Sequence, residues 1–473
     1  MMTRFKQMRT AAVAALAVGV TGCGDLLSGP GLSENPNSPV EASTEALLIA
    51  TQARTFVLQS GQLARQSSIW TQQIAGIFNQ QLEWGSQYNV TENDMGGHFA
   101  GFYTGGGLLD MRRVRDAGVE AGDARLEGIA KVLEGLHIGT AASIWGDIPY
   151  REAVNADISA PILDPQEQVY ADVQQVLSDA ISLLGTASSA SLASDLIYNG
   201  DSQRWLRAAH TLKARYHLHV APRVGQSAYE AALAAAQQGI NEAPASALDA
   251  INGQGPGDFR AFHGNTLDDG NIWSQFYEAR SDLAANARMI GVLVAREDPR
   301  LDVYFNPAND GQWRGANQFG LGPAPWSPLD QENRLFRTFR QPIVTWAENQ
   351  FIMAEAHYQL GRPGDALTHV NNVRTAIGMA ALGGPITLEQ IMVEKWIAQF
   401  QNVDAYSDYR RTCFPRLIPG GPNPQSPAAQ IPGRLPYGNS ERLQNPNVPP
   451  PSAQPDRNWN FENVTCPTSG GTI

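Results

Sequence analysis

Charge is scarce in this 473-residue chain: Asp, Glu, Lys and Arg make up 17% of it, against about a quarter of an average soluble protein. The 34 basic residues face 46 acidic ones, and no stretch gathers them into a dense Lys/Arg block. Nucleic-acid binding draws its affinity mainly from neutralising phosphates, so that class is set aside. Long apolar runs are missing too. The run from Ala11 to Val20 is about half of the ~20 residues that a membrane-spanning helix needs. Catalytic motifs are absent as well: there is no Gly-x-Ser-x-Gly elbow, no His-Glu-x-x-His zinc site and no phosphate loop. His217 and His219 lie two apart on a helix and point to different faces, a poor arrangement for sharing a metal. Neither catalysis, a cofactor nor a metal is expected. What the chain does have is 42% hydrophobic residues, 45 Gly and 30 Pro. That is enough for a sizeable core with many loops, in one large domain or in two or three.

The N-terminus carries Arg4, Lys6 and Arg9 with no acid before Asp25, then the short apolar run, then Val20-Thr21-Gly22-Cys23. This pattern reads as a secretory signal over residues 1–22. Small residues directly before a cysteine resemble the lipobox of bacterial lipoproteins, in which cleavage exposes Cys23 for acylation. Its acyl chains, at ~0.8 kcal/mol per buried CH₂, would anchor the protein to a membrane without a spanning helix. Removing residues 1–22 takes away three cations and no anion, which moves the net charge from −12 to −15. A Gly/Pro/Ser/Asn-rich stretch over 23–39 is expected to be a flexible tether. Cys413 and Cys466 are then left. In an oxidising compartment they either pair, pinning the C-terminal tail to the body, or remain as two thiols.

From Val40 onward helical periodicity dominates. Asp164-Pro165-Gln166-Glu167 predicts a helix start with Asp164 as cap, followed by Val169, Val173, Val176, Ala180 and Leu184 on one face. Asp201 is expected to cap a helix bearing Trp205, Ala209, Leu212 and Tyr216, and Thr387 with Gln390 forms a capping pair. The clearest unit runs from Trp346 to Met379. One apolar stripe (Ala347, Phe351, Ala354, Tyr358) stops at Gly361-Arg362-Pro363, and a second (Ala366, Val370, Val373, Ile377) follows, as in a tetratricopeptide hairpin. Such a hairpin must stack on other helices, and those over 164–184, 201–220 and 227–240 are the natural neighbours. Residues 241–340 and the Pro-rich tail 413–473 break the helical pattern.

Several separated motifs together resemble the SusD/RagB family of outer-membrane nutrient-binding lipoproteins. They are the lipobox at Cys23, Asn35-Pro36-Asn37, Trp145-Gly146-Asp147-Ile148-Pro149-Tyr150, the helix Trp205 to Arg215, and Asp298-Pro299-Arg300-Leu301. Further on come Ala354-Glu355-Ala356, Glu394-Lys395-Trp396, Asp408-Tyr409-Arg410-Arg411-Thr412 and Arg434-Leu435-Pro436-Tyr437. The resemblance implies an all-α fold, with tetratricopeptide-like hairpins as scaffold, long irregular loops as the ligand face, and residues 40–473 as a single domain. It also implies a non-catalytic, lipid-anchored binding protein, facing the cell exterior, that passes a glycan or another large nutrient to a SusC-like TonB-dependent transporter. Where the family pattern commonly has glycine after Arg-Arg-Thr, this chain has Cys413, which favours the pairing of Cys413 with Cys466. A peptide or chelate ligand, and a tetratricopeptide-like scaffold lipoprotein binding peptides or envelope proteins, are the alternatives.

Most of these motifs read as structural: Asp147 as an acceptor for nearby backbone N–H groups, Arg410 and Arg411 as internal partners of acids such as Glu394. Glycan binding needs aromatic platforms flanked by amides and carboxylates. The aromatics in polar, loop-like surroundings are Trp84, Tyr88, Trp273, Tyr277, Trp313 and Trp326, and two or three of them are expected to form the platform.

Overall fold

The computed structural model describes residues 42–467, so the signal segment, Cys23 and the tether lie outside the described residues. The compact unit that carries the fold runs from Leu47 onward. Among the described residues, helices dominate and strands are few and short. The first eight helices are α1 (Thr44–Ser60), α2 (Gln62–Trp70), α3 (Glu92–Gly101), α4 (Leu108–Ala121), α5 (Ala124–Trp145), α6 (Gln166–Thr186), α7 (Ser202–Val224) and α8 (Gln226–Ala236). From α4 to α8 each packs on the next.

The centre of this stack is α5, buried at every residue from Val132 to Trp145. It is apolar nearly all round, the mark of a helix enclosed by others. Glycines let its neighbours come close. A Cβ on Gly135 would stand 2.8 Å from Leu177 of α6, and one on Gly139 would stand 2.2 Å from the Tyr216 ring of α7. Gly122, in the left-handed region at φ 65°, ends α4. Asp123 then opens α5 by accepting from the backbone N–H groups of Arg125 and Leu126.

On α6, Val169, Val173, Ala180 and Leu184 are fully buried as the spacing predicts, with Leu177 taking the inward place beside half-buried Val176. Its start differs from the expectation, because Asp164 does not cap it. Pro165 holds the cap position, and Asp164 pairs with Ile148 in an isolated bridge. The Asp164 carboxylate accepts from Tyr150 N and Arg151 N, both at 2.9 Å. The α6 N-terminus is served instead by Asp147, which accepts from Gln166 N at 2.8 Å. Two aspartates seventeen positions apart thus cap each other's segment. Asp201 caps α7 as expected, accepting from Gln203 N and Arg204 N.

After α8 the chain leaves the stack through α9 (Ala247–Asn252), α10 (Ile272–Ala279), α11 (Ala287–Ala295) and α12 (Leu301–Tyr304). The expected irregular insertion therefore contains short helices. It also contributes to two small antiparallel pairs. Strands β1 (Ile74–Gly76), β2 (Phe259–Arg260), β3 (Leu283–Ala285) and β4 (Pro342–Val344) pair as β1 with β3 and β2 with β4, Ile74 opposite Ala285 and Phe259 opposite Val344. The chain then re-enters the stack. Helices α13 (Trp346–Gln359) and α14 (Pro363–Ala376) form the predicted hairpin, turning at Gly361 with φ 74°. Helix α13 packs directly on α8. Asn349 of α13 seals that joint: its amide donates to Ala236 O (2.9 Å) and Ile240 O (3.1 Å) while its oxygen accepts from Thr211 of α7 (3.1 Å).

Helix α15 (Leu388–Ala398) opens with the expected Thr387/Gln390 capping box, and α16 (Asp404–Thr412) follows. Cys413 closes α16 in the left-handed conformation, φ 60°, and is bonded to Cys466. Among the described residues the tail holds a short α-helix, α17 (Asn439–Gln444), packed on α3, and two 3₁₀ turns, Pro451–Ala453 and Trp459–Phe461.

Candidate functional site

Residues of the recurring motifs are mostly buried and internally partnered, which removes them from any ligand face. Arg411 pairs with Glu355 of α13 and with Asp408, and Lys395 pairs with Asp408 at 2.8 Å. Arg410 donates to Ser143 O (2.8 Å) and Gly433 O (2.9 Å) and lies over Tyr406, 3.8 Å from the ring centroid. Arg411 is thus an internal ion-pair partner as expected, while Arg410 is held by carbonyls, and neither arginine reaches Glu394, the acid named as an example. Glu394 is taken by Arg296, Arg300 and Arg374, which come from segments nearer to it in the fold. In the Gly-Asp-x-Pro-Tyr turn, Tyr150 Oη donates to Glu134 at 2.9 Å and Trp145 Nε1 donates to Pro436 O at 2.9 Å.

The irregular segments meet elsewhere. Beyond β1, Ile77 N donates to Asp282 O and the Asn79 amide to the Asp282 carboxylate, at 2.9 and 2.8 Å. A π-helical turn, Gln81–Ser86, folds back so that Ser86 Oγ donates to Gly76 O at 2.9 Å. Two further loops close on this turn. Gly420 N donates to Tyr88 Oη (2.8 Å) and Gly421 N to Ser86 O (3.0 Å), while a Cβ on Gly320 would sit 2.3 Å from Gly76 O. The approach of these backbones demands glycine at 320. From the third side, Ala316 bridges to Asn286, and Ser327 N donates to Arg314 O at 2.8 Å.

The six aromatic candidates distribute over this assembly unevenly. Trp84 is half-buried; its carbonyl accepts from Gln66 and from Trp70 Nε1. Its own indole N–H has no partner among the described residues. Tyr88, next to it, packs edge-on to Trp70, with centroids 6.2 Å apart, and its hydroxyl is held by Gly420 N. Burial raises the Tyr88 phenol well above its ordinary pKa, so it stays a neutral donor and acceptor. Trp313 is half-buried and lines a cavity of about 410 Å³ together with Val294, Arg314 and Pro323. Trp326 is half-buried, with its indole N–H enclosed and without a partner.

The remaining two lie on α10. Trp273 is 1% exposed and serves as core, under Arg65, whose guanidinium carbon is 5.9 Å from the indole centroid. Tyr277 is half-buried against the core, its phenol raised by burial. The structure therefore brings Trp84 and Tyr88 into one turn, sets Trp313 and Trp326 either side of the Arg314–Ser327 contact, and leaves Trp273 no free face.

Sequence reasoning missed Phe78, 54% exposed at the tip after β1, and the exposed Leu321 and Ile418 on the loops that close on the same turn. Exposed Asn79, Gln80, Glu83 and Asn89 surround Trp84 and Tyr88, and the Asn89 amide donates to Glu83 at 2.9 Å. The signal lies in Ile77-Phe78-Asn79-Gln80-Gln81, an aromatic among amides, which a rule confined to Trp and Tyr passes over. Rings beside amides and one carboxylate can stack on an apolar sugar face and bond its hydroxyls.

Among the described residues no group of His, Cys, Asp and Glu is arranged to hold a metal ion, and no helix is long and apolar enough to cross a membrane. The fold and this face define a helical-hairpin scaffold that displays an irregular, aromatic and amide-bearing loop surface. Residues 36–438 match the family model SusD-like, described as starch-binding associating with outer membrane. The chain belongs to that family. Among solved structures it is similar to a SusD/RagB family protein from Bacteroides thetaiotaomicron, at 22% identity and TM-score 0.70, with 89% of this chain and 98% of that one covered. A chitin-binding SusD homolog from Flavobacterium johnsoniae is similar at 18% identity and TM-score 0.72, over 89% and 98%. A chitin-binding protein is similar at 20% identity and TM-score 0.73, over 89% and 100%. No curated protein matches the chain.

Proposed function

We propose that this protein is a non-catalytic, lipid-anchored outer-membrane binding protein that captures an oligosaccharide at the loop face and delivers it to a TonB-dependent transporter. The observation that carries the reading is the family match over residues 36–438, whose description is starch-binding with outer-membrane association. Two neighbours of the same fold are named for chitin binding. The chemistry of the Phe78 to Asn89 corner suits the same ligand class, and the lipobox at Cys23 supports the anchor. In this reading Phe78 and Trp84 stack on sugar rings, Asn79, Gln80, Glu83 and Asn89 bond hydroxyls, and Trp313 with Trp326 extend the platform.

Affinity electrophoresis of the purified protein through gels containing starch, glycogen or soluble chitin derivatives tests it. Phe78→Ala with Trp84→Ala is expected to weaken retention about tenfold or more with an unchanged melting temperature, and Trp313→Ala with Trp326→Ala to weaken it less. Trp273→Ala should instead lower stability, since the ring is core. Retention unchanged in the Phe78, Trp84, Trp313 and Trp326 variants would overturn the location. A chain that ignores every glycan would turn the reading toward a peptide or chelate, and recovery of a TonB-dependent transporter on co-purification would still support delivery.

A further inference from the structure

A second set of residues, separate from the aromatic loops, forms an unevenly charged cavity that opens to the surface. At the end of α11 the chain passes through Arg296, Asp298 and Arg300, and α14 brings Arg374 to the same place. Glu394, from α15, receives all three guanidiniums, with Arg300 Nη2 at 2.8 Å. Asp298 accepts from Arg300 Nε and Nη2 at 2.8 and 2.6 Å. These side chains are sequestered: Arg374 is 8% exposed, Arg300 and Glu394 1%, Asp298 0% and Arg296 23%. Three cations thus face two anions. Glu389, which lines the same cavity, pairs with Arg416 at 3.5 Å in a more exposed position, and Arg288 donates to the Arg416 carbonyl beside them, so these groups leave an excess of positive charge.

One positive charge is therefore left over in a largely buried cluster, and an uncompensated buried charge is costly. Donors are left over with it. Arg300 Nη1 is buried without a partner, and Arg296 Nη1 and Arg374 Nη2 have none among the described residues. Arg296, Arg374 and Glu394 line a cavity of about 600 Å³ whose other walls include Met379, Leu382 and Val393. That size falls in the usual range for small-molecule sites, about 300–1,000 Å³. A bare inorganic anion would neutralise the charge but leave the apolar walls wet. A neutral apolar molecule would do the reverse. One ligand class satisfies both halves.

We propose that this cavity binds an organic carboxylate with an apolar body, the carboxylate against Arg296 and Arg374 and the body against Met379, Leu382 and Val393. The site is independent of glycan capture and stands or falls without it. Isothermal titration of the full-length protein near neutral pH is the test, with decanoate and phenylbutyrate as probes and decanol and inorganic phosphate as controls. One equivalent of at least one carboxylate probe is expected to bind, and Arg296→Gln to weaken it about tenfold or more. Leu382→Glu, in the loop after α14 and outside the ion cluster, is expected to do the same with an unchanged circular dichroism spectrum, which keeps the test open if Arg296→Gln misfolds. Equal binding of decanol, binding of phosphate as tight as that of the carboxylates, or no heat from either carboxylate would each overturn the proposal.

Discussion

At the residue scale, Cys413 carries two effects that substitution separates. It ends α16 in the left-handed region, which costs a side-chain-bearing residue about 1–2 kcal/mol relative to glycine, and it is bonded to Cys466 across a separation of 53 residues. Closing a loop of that length stabilises a fold by about 4 kcal/mol in the chain-entropy model. Cys466→Ala loses the bridge and keeps the backbone cost. Cys413→Gly loses both. Urea unfolding should therefore show both variants destabilised, with Cys413→Gly the milder by about 1 kcal/mol. Glu394 gives a pH-dependent counterpart. Burial alone would lift its carboxyl, yet Arg300, Arg296 and Arg374 hold it at about 2 against an ordinary 4.5. With a depressed folded value, its contribution is complete above 4.5 and is lost as pH falls through about 2, a change of ~3 kcal/mol. Glu394→Gln should cost about 3–5 kcal/mol at neutral pH, and unfolding titrations should find the gap to wild type narrowing at pH ~3.

At the element scale, the exchange between Asp147 and Asp164 ties the turn after α5 to the start of α6. Asp164→Ala orphans two backbone N–H groups, that of Tyr150 buried and that of Arg151 partly so, at about 1–3 kcal/mol for a buried one, whereas Asp147→Ala removes one helix cap, worth about 1 kcal/mol. Thermal unfolding should rank Asp164→Ala well below Asp147→Ala, with Asp164→Asn, which keeps an acceptor oxygen, near wild type. The same pair shows what was legible in the sequence. Helices declared themselves wherever apolar period and cap coincided, as at Asp201, Thr387 and the Trp346 to Met379 hairpin, because those signals are local. Asp164 also looked like a cap, and its actual partners, Tyr150 and Arg151, were set by a contact that no local rule contains. The partners of Glu394 lie 20 to 98 positions away, so charge pattern alone assigned it to the wrong arginines. Likewise Trp273 sat in a polar stretch, and only the packing of α10 over Arg65 put it inside.

At the scale of the whole molecule, the reading of a tethered outer-membrane protein predicts that Cys23→Ser moves it from the membrane to the soluble fraction, checked by detergent-free fractionation; unchanged partitioning would sink the lipid anchor. The mature protein would be strongly acidic, at −15, but an uncharged oligosaccharide gives that field nothing to steer, so capture should depend little on salt, as expected where stacking and hydrogen bonds outweigh long-range attraction. The joint between α8 and α13 bears on how such a molecule comes into being. A chain made from its N-terminus completes α8 at Ala236 long before α13 begins at Trp346. Until then the face of α8 that α13 will cover, with the Ala236 and Ile240 carbonyls that Asn349 will satisfy, has no partner. Assembly of the scaffold is therefore a late event that waits for the insertion to pass, and Cys466 arrives later still. During that interval the nascent protein presents an open helical edge, the state in which it is most in need of a chaperone and most exposed to proteases.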